Sequence, residues 1–219
     1  MEKELLNGNA AKRATHTEAW SNPVLHPVHD HDADEEKMVA IRHHFGKIME
    51  TLGLDLNDAS LRDTPKRVAK MFVKELFTGL DQRNFPAITT FPNDYGYREM
   101  LVEKNISLYS CCEHHFLPII GRAHVAYFPK DKVVGLSKLN RLVQYHARRP
   151  QVQERLTVQI AQSLKEVLGT EDVAVYITAD HLCVAARGVE DTHSATTTSH
   201  FGGRFQRTEE RQAFLHAVG

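Results

Sequence analysis

The sequence has few cysteines, almost no net charge and no long apolar run. Its 219 residues include three cysteines, a small odd number that does not indicate a disulfide framework. With a formal net charge of −1, it lacks the overall basic field that binds nucleic acids or anionic membranes. Apolar runs such as 173–177 are too short to span a membrane, and no basic-then-apolar signal peptide is visible. We therefore expect a cytoplasmic protein without nucleic-acid or membrane partners.

All three cysteines lie in two short clusters that also contain histidine. The first is Cys111-Cys112-Glu113-His114-His115, and the second is His181-Leu182-Cys183. Thiolates and imidazoles are the ligands that zinc prefers, and Cys112-x-x-His115 has a recognised zinc-ligand spacing. With Cys183 as the third ligand, the site would be of the Cys2His type. Its fourth position would stay open for water, as in catalytic zinc sites.

The two remaining histidines of these clusters, His114 and His181, are candidates for proton transfer. Both are close in sequence to a predicted metal ligand, and imidazole is the side chain that titrates near neutral pH. A structural zinc site is the alternative interpretation. It would need a fourth protein ligand, which only His114 or His181 offers.

The first part of the sequence shows helical periodicity after a polar start. Residues 1–33 have no sustained period, so we expect a flexible N-terminal arm. Apolar residues recur every three or four positions through 35–52, which predicts a helix that Asp34 caps and Gly53 ends.

A second helix is expected to begin at Thr64-Pro65, because a capping threonine followed by proline is typical of a helix N-terminus. Apolar residues continue at helical spacing towards Gly79, which we expect to end the helix. Residues 34–92 are therefore predicted to be a helical N-terminal region.

From residue 93 onward, the pattern predicts an α+β domain. Alternating apolar residues indicate strands near 100–108 and 121–128. Two helices should follow, the first from a cap at Ser137 to Pro150 and the second ending at Gly169.

Two further strands, near 172–183 and 193–199, and a last helix near 208–217 complete the predicted elements. The order is ββααββ with a closing helix. Strand pairs that flank a helix pair indicate an antiparallel sheet with helices on one face. The candidate ligands would then lie at strand ends, which are rigid supports for a site.

An anionic substrate would have to be held by local basic residues, because the sequence has no Gly-x-x-x-x-Gly-Lys-[Ser/Thr] loop. Lys138 and Arg141 lie three residues apart near a predicted helix N-terminus, which itself favours anions. Arg187 and Arg67 are further candidates. Each alone is equally consistent with a surface charge, but together they can hold a triphosphate, since guanidinium groups match phosphate oxygens.

Gln153-Glu154 is a candidate for reading a guanine base. A carboxylate can accept two parallel hydrogen bonds, and guanine alone among the common bases offers two adjacent donors on one edge. The alternative interpretation of Glu154 is structural, because the helix dipole favours glutamate in a first helical turn.

Several ordered motifs together resemble the GTP cyclohydrolase I family. They are Cys112–Phe116, Gly135–Arg141, Arg149–Leu156, Ala186–Gly188 and Ser194–Thr198, with Thr64–Met71 similar to the N-terminal region of that family. The resemblance runs from about Asp34 to the end of the sequence. It implies the tunnelling fold for residues 93–219. It also implies a homodecamer of two stacked pentamers, with active sites between subunits.

The reaction that the resemblance implies converts GTP and water to 7,8-dihydroneopterin triphosphate and formate, the first step of tetrahydrofolate and other pterin biosynthesis. The implied cofactor is zinc, and the matching ligand positions are Cys112, His115 and Cys183. The matching catalytic positions are His114, His181 and Ser137. The matching substrate-binding positions are Gln153, Glu154, Lys138, Arg141, Arg187 and Arg67.

Two positions depart from the family pattern, since Cys111 replaces a small residue without a thiol and Ala185 replaces a frequent lysine. Two other functions remain open at this point. A nitrile reductase of the same fold would use a catalytic thiol and a nicotinamide cofactor. A non-catalytic assembly stabilised by metal would have no exchangeable water at the ion.

Overall fold

The computed structural model describes residues 34–219. The predicted flexible arm, residues 1–33, lies outside the described residues. Within 34–219, no helix is both long enough and apolar enough to cross a membrane.

The two helices predicted in the N-terminal region are present, although Asp34, predicted to cap the first helix, is already helical. Helix α1 is Asp34–Thr51, and its acidic first turn suits the positive end of the helix dipole. Helix α2 is Thr64–Met71. The cap position of α2 is Asp63, so the prediction that Thr64 caps this helix is wrong by one residue. Thr64 is already helical, and Pro65 follows within the first turn.

The second helix ends earlier than predicted, and Gly79 has a different role. The chain leaves α2 at Met71 and continues as a π-helical turn, Phe72–Leu76, and 3-10 turns at Thr78–Leu80 and Gln82–Asn84. A Cβ on Gly79 would lie 2.1 Å from the Tyr145 carbonyl oxygen. Gly79 therefore allows two backbone segments to touch, and its amide donates to the Arg148 carbonyl at 2.8 Å.

The rest of the chain alternates strands and helices in the predicted ββααββ order, with short elements added. The elements are β1 Thr90–Pro92, β2 Leu101–Cys112, β3 Pro118–Tyr127, β4 Lys132–Val134, α3 Leu136–Ala147, β5 Pro150–Gln151, α4 Gln153–Leu168, β6 Val173–His181, α5 Leu182–Ala185, β7 Thr196–Phe201 and α6 Thr208–Val218. The predicted α+β class is confirmed, and the fold is consistent with the tunnelling fold. The boundary predicted at residue 93 stays a prediction.

The main sheet has the strand order β5-β2-β3-β6-β7. Strands β2, β3, β6 and β7 are antiparallel, and only the short β5 is parallel, alongside the end of β2. The separate pair β1 and β4 was not predicted, and β1 falls within the region predicted to be helical.

Alternating side chains place the core on one face of this sheet. Leu108, Val125 and Ile177 are buried there against Leu142 of α3 and Ile160 of α4, as predicted for helices on one face. On the opposite face, α6 also covers one end of the sheet. Its Phe214 packs with Phe205 against Ala126 and Ala174 of β3 and β6.

Three local boundaries differ from the predictions because nearby groups fix the backbone. Helix α3 begins at Leu136 after a cap position at Gly135, so Ser137 lies inside the first turn and is not the cap. The last strand starts at Thr196 and not at 193, since the Asp191 carboxylate accepts hydrogen bonds from the amides of residues 193 and 194. Helix α4 ends as predicted, at Gly169 in the left-handed conformation.

Candidate metal centre

Cys112, His115 and Cys183 meet at one end of the main sheet. One ligand atom from each residue lies within 4.8 Å of the others. Cys112 ends β2, and Cys183 follows β6; both strands pair with β3, so their ends are neighbours. Ligand atoms in a tetrahedral zinc site are about 3.6 Å apart. The three side chains therefore need only a small inward movement to hold such an ion.

A tight hairpin brings His115 back towards Cys112. The amide of Phe116 donates to the Cys112 carbonyl at 2.8 Å, and the amide of Cys112 donates to the Leu117 carbonyl at 2.8 Å. Phe116 has a φ of 53°, an uncommon left-handed conformation for a residue with a side chain. We call residues 112–117 the metal-binding hairpin.

Cys183 was predicted to lie at the end of a strand. It lies instead in the single helical turn α5 that follows β6. Burial, and then the neighbouring Cys112 thiol, raise the pKa of the Cys183 thiol. The buried Cys111 stands outside the ligand group. Burial raises the pKa of its thiol to about 11.

The two histidines predicted to transfer protons lie at this centre. Nδ1 of the exposed His114 is 3.8 Å from the Cys112 sulfur. Nε2 of His181 is 2.8 Å from Oε1 of Gln153. Burial lowers the pKa of His181, and the carboxylates of Glu154 and Asp180 oppose that shift.

Gln153 fixes which nitrogen of His181 carries a proton. Its Nε2 donates to the Thr196 carbonyl at 3.0 Å and to Thr198 Oγ1 at 3.1 Å, so its amide oxygen faces His181. An amide oxygen only accepts, and Nε2 of His181 is therefore the donor. Nδ1 of His181 remains available for another partner.

Glu154 and Arg187 also belong to this end of the molecule. The exposed Glu154 lies in the first turn of α4, close enough to act on His181 electrostatically. Arg187 donates from Nη1 to Nε2 of His115 at 3.0 Å. Three predicted substrate-binding residues, Gln153, Glu154 and Arg187, are thus grouped with the predicted ligands.

Ser137 and the remaining basic candidates are not brought to the centre within one chain. Ser137, Lys138 and Arg141 lie near the start of α3, where Asn140 Nδ2 donates to Glu103 Oε1 at 3.0 Å. Glu103 and Cys112 are nine strand positions apart in β2, which corresponds to ~30 Å. Arg67 is exposed on α2.

Two residues of the hairpin were not singled out from the sequence. The ring of Phe116 lies 6.1 Å from that of Phe72 and 5.5 Å from that of Phe77, which joins the hairpin to the N-terminal region. Glu113 forms an ion pair with Arg155 of α4. The position of Glu113 between two candidate ligands was the signal in the sequence that it has a role at the site. Its partner Arg155 could not be identified, because it is 42 residues away in sequence.

Comparison with known proteins gives consistent matches over almost the whole chain. The family model of GTP cyclohydrolase I matches residues 41–219. GTP cyclohydrolase 1 of Flavobacterium johnsoniae is 57% identical over 197 residues, which cover 90% of this chain and 88% of that protein. Proteins of the same name from Citrobacter koseri and Escherichia coli O1:K1 are each 53% identical over 197 residues, with the same two coverages. The chain therefore belongs to the GTP cyclohydrolase I family.

Proposed function

We propose that Cys112, His115 and Cys183 hold the catalytic zinc ion of a GTP cyclohydrolase I. The protein hydrolyses GTP and opens the imidazole ring of its guanine, giving 7,8-dihydroneopterin triphosphate and formate. The observation that carries the proposed centre is the meeting of two thiols and an imidazole within 4.8 Å, beside two further histidines. Sulfur and nitrogen donors of this kind suit zinc.

Three protein ligands leave the fourth position of a tetrahedral ion open to solvent. Zinc held by Cys112, His115 and Cys183 would lower the pKa of a bound water towards neutrality and so would supply hydroxide for the hydrolysis. The residues around the ligands then have to orient the guanine and move protons while its imidazole ring opens.

His181 and His114 are proposed to move those protons. The bond from His181 Nε2 to Gln153 leaves Nδ1 able to give or take a proton at the reacting ring. His114 is exposed and lies next to the Cys112 sulfur, so it can exchange protons with solvent and substrate.

Glu154 is proposed to accept the two donors on the guanine edge. Its carboxylate is exposed at the start of α4, beside His181. Gln153, also predicted on the guanine side, is 1% exposed, and its amide already bonds His181 and Thr198. We propose that Gln153 supports the guanine site from behind, through His181.

The triphosphate side of the site is proposed to come from a second copy of the chain. Arg187 lies at the centre, but Ser137, Lys138 and Arg141 sit at the other end of the same sheet. In a homo-oligomer, the α3 start of one copy can face the metal centre of another. Arg67 remains a predicted phosphate contact, and the decamer remains an expectation from the family resemblance.

The surface of one chain supports such an assembly. Within the described part of the chain, β7 pairs only with β6, so its outer edge is open to another strand. Helix α1 carries Met38, Ile41, Phe45 and Ile48 at the spacing of a helix–helix seam, and Ile48 is 52% exposed.

The test combines two measurements on one preparation, namely zinc content and GTP-dependent formate release. We expect about one zinc per chain and formate equimolar with a pterin that fluoresces after oxidation. Full zinc occupancy without formate would overturn the proposed reaction. Turnover that consumes NADPH and releases no formate would instead favour a nitrile reductase.

A cytoplasmic location stays a prediction. The three cysteines are free thiols, as a metal role requires.

A further inference from the structure

We propose that Glu113 positions the metal-binding hairpin through Arg155 and thereby sets the zinc affinity of the protein. This proposal rests on the proposed function of the hairpin as a source of zinc ligands. Glu113 lies directly between the ligand Cys112 and His114, yet its side chain is turned towards the start of α4. Its Oε1 also lies 3.9 Å from Nε2 of His114, but the hydrogen bond of Oε2 with Arg155 is the closer contact, and through it Glu113 is a positioning residue.

Glu113 is joined to the α3–α4 connection by both backbone and side chain. Its amide donates to the Gln151 carbonyl at 3.0 Å. Its Oε2 accepts a hydrogen bond from Arg155 Nη2. The two side chains are 28% and 14% exposed, so solvent screens this ion pair much less than an exposed pair.

Arg155 is itself held by buried groups. Its Nε donates to Gln151 Oε1 at 3.0 Å, and its Nη2 also donates to the Pro150 carbonyl at 3.3 Å. Gln151 is fully buried. Its amide nitrogen donates to the His146 carbonyl at 2.9 Å and to Gln159 Oε1 at 2.8 Å. The guanidinium that receives Glu113 is therefore fixed to the protein interior.

The hairpin needs such an anchor because its tip is exposed. His114, His115 and Phe116 are all exposed residues, and a ligand on a mobile loop has to be ordered when a metal binds. Loss of a side chain that holds metal-ligand residues in position typically lowers metal affinity or activity about 10–100-fold. The Glu113–Arg155 pair fixes the backbone between Cys112 and His115, so we expect its loss to weaken zinc binding by a factor in that range.

The test measures zinc affinity by competition with a chromophoric chelator, using the full chain and zinc alone. Glu113→Ala and Arg155→Ala should each bind zinc about 10–100-fold more weakly than the wild type. The double variant should lose little more than either single variant, because both changes remove one interaction. At saturating zinc, Glu113→Ala should regain formate release with an unchanged KM for GTP.

Glu166→Ala is the matched control, because Glu166 lies on the same helix and its carboxylate accepts a hydrogen bond from Gln162 at 2.9 Å. It should bind zinc as the wild type does. Wild-type affinity in Glu113→Ala, or additive losses in the double variant, would overturn the proposal. If Glu113→Ala does not fold, Glu113→Gln decides the question. It keeps the shape and should still lose affinity, by a smaller factor. Absence of zinc from the wild type would instead overturn the proposed function.

Discussion

At the scale of single residues, position separates the three thiols, because Cys112 and Cys183 belong to the candidate ligand group and Cys111 does not. Cys183 is half-buried beside Cys112, and burial, followed by this contact, raises the pKa of its thiol. A bound cation reverses that effect, because a coordinating thiol loses its proton outright. Cys111 is adjacent in sequence but lies outside the ligand group.

Replacing Cys183 should therefore have a much larger effect than replacing Cys111. We expect Cys183→Ala to abolish formate release and to lower zinc content to a small fraction of the wild-type value, because two protein ligands hold zinc poorly. Cys111→Ala should keep both zinc and activity. Metal analysis of the purified variants checks this, and full zinc content in Cys183→Ala would remove that residue from the ligand set.

His146 should make the stability of the protein depend on pH. Its imidazole is buried between α3 and α4, where Nε2 lies 2.8 Å from Ser163 Oγ. Burial, and then the charge of Arg149, lower its pKa from 6.5 to about 3. The folded state therefore keeps His146 neutral while the unfolded state binds a proton below pH 6.5. Its contribution to stability is present above pH 6.5 and is lost as the pH falls towards 3.

Between pH 7 and 5, this single group should lower the free energy of unfolding by about 2 kcal/mol. Urea unfolding of the wild type and of His146→Gln at both pH values measures it. The variant should lose most of the pH dependence, whatever its absolute stability. As a control, His44→Gln removes an exposed imidazole on α1 and should behave as the wild type. If the free energy of unfolding of His146→Gln falls between pH 7 and 5 as much as that of the wild type, His146 is not the source of the pH dependence.

At the scale of elements, Gly121 lets β3 and β6 approach closely. A Cβ at this position would lie 2.1 Å from the Thr178 carbonyl oxygen and 2.5 Å from Ala179 Cβ. Both obstacles belong to the neighbouring strand, so neither can move without disturbing the sheet. The metal-binding hairpin leads into β3, and Cys183 follows β6, so the candidate metal centre lies beyond the nearby ends of these strands.

Gly121→Ala should therefore destabilise the protein by at least 1–3 kcal/mol, roughly the cost of overpacking a core. Gly46→Ala is the matched control, because a Cβ there meets nothing closer than 3.9 Å. In the middle of α1 it should be neutral or stabilising by up to about 1 kcal/mol. Thermal unfolding compares the two variants, and equal midpoints would contradict the steric argument.

The sequence predicted elements where local signals decide the structure. The left-handed Gly169 and the periodic apolar residues of α4 are local, and that helix was placed correctly. The role of Gly79 was mistaken, because it depends on contact with Arg148, far away in sequence. The start of α3 was misjudged at Ser137 since a capping residue type does not show where the backbone of β4 ends.

The same distinction applies to the site. The three residues of the candidate ligand group could be found from the sequence because zinc sites restrict both residue type and spacing. The anchoring role of Gln153 was not recognisable, since its partners Thr196 and Thr198 come from a strand that is separated from it in sequence. Nor could one sequence show that Lys138 and Arg141 lie far from Cys112, because that distance follows from the length of β2.

At the scale of the whole molecule, a shared active site predicts that two inactive variants can complement each other. Cys112→Ala damages the metal end, and Arg141→Ala damages the α3 start. When the two are co-expressed, some interfaces combine the intact end of one copy with the intact end of another. If equal amounts of the two variants assemble at random, each of the two ends at an interface is intact in about half of the cases. Roughly a quarter of wild-type activity should therefore be restored.

The control for this experiment mixes Cys112→Ala with His115→Ala, which damage the same end of the chain. That mixture should stay inactive, because no interface then contains a complete metal centre. Activity is measured as formate release per chain after both variants are shown to assemble. If the first mixture also stays inactive, each chain builds its own complete site and the shared-site proposal fails.

The connection between α3 and α4 has a consequence for how the protein can vary. Gln153 reaches His181 and Arg155 reaches Glu113 from one helical turn, while the end of α3 is tied to β2 through Ser110 and the Ala147 carbonyl. One inserted or deleted residue in 148–152 would rotate the start of α4 by about 100°. Both attachments would be lost at once, so a change of length in this linker should be far more damaging than a substitution at its exposed Arg148.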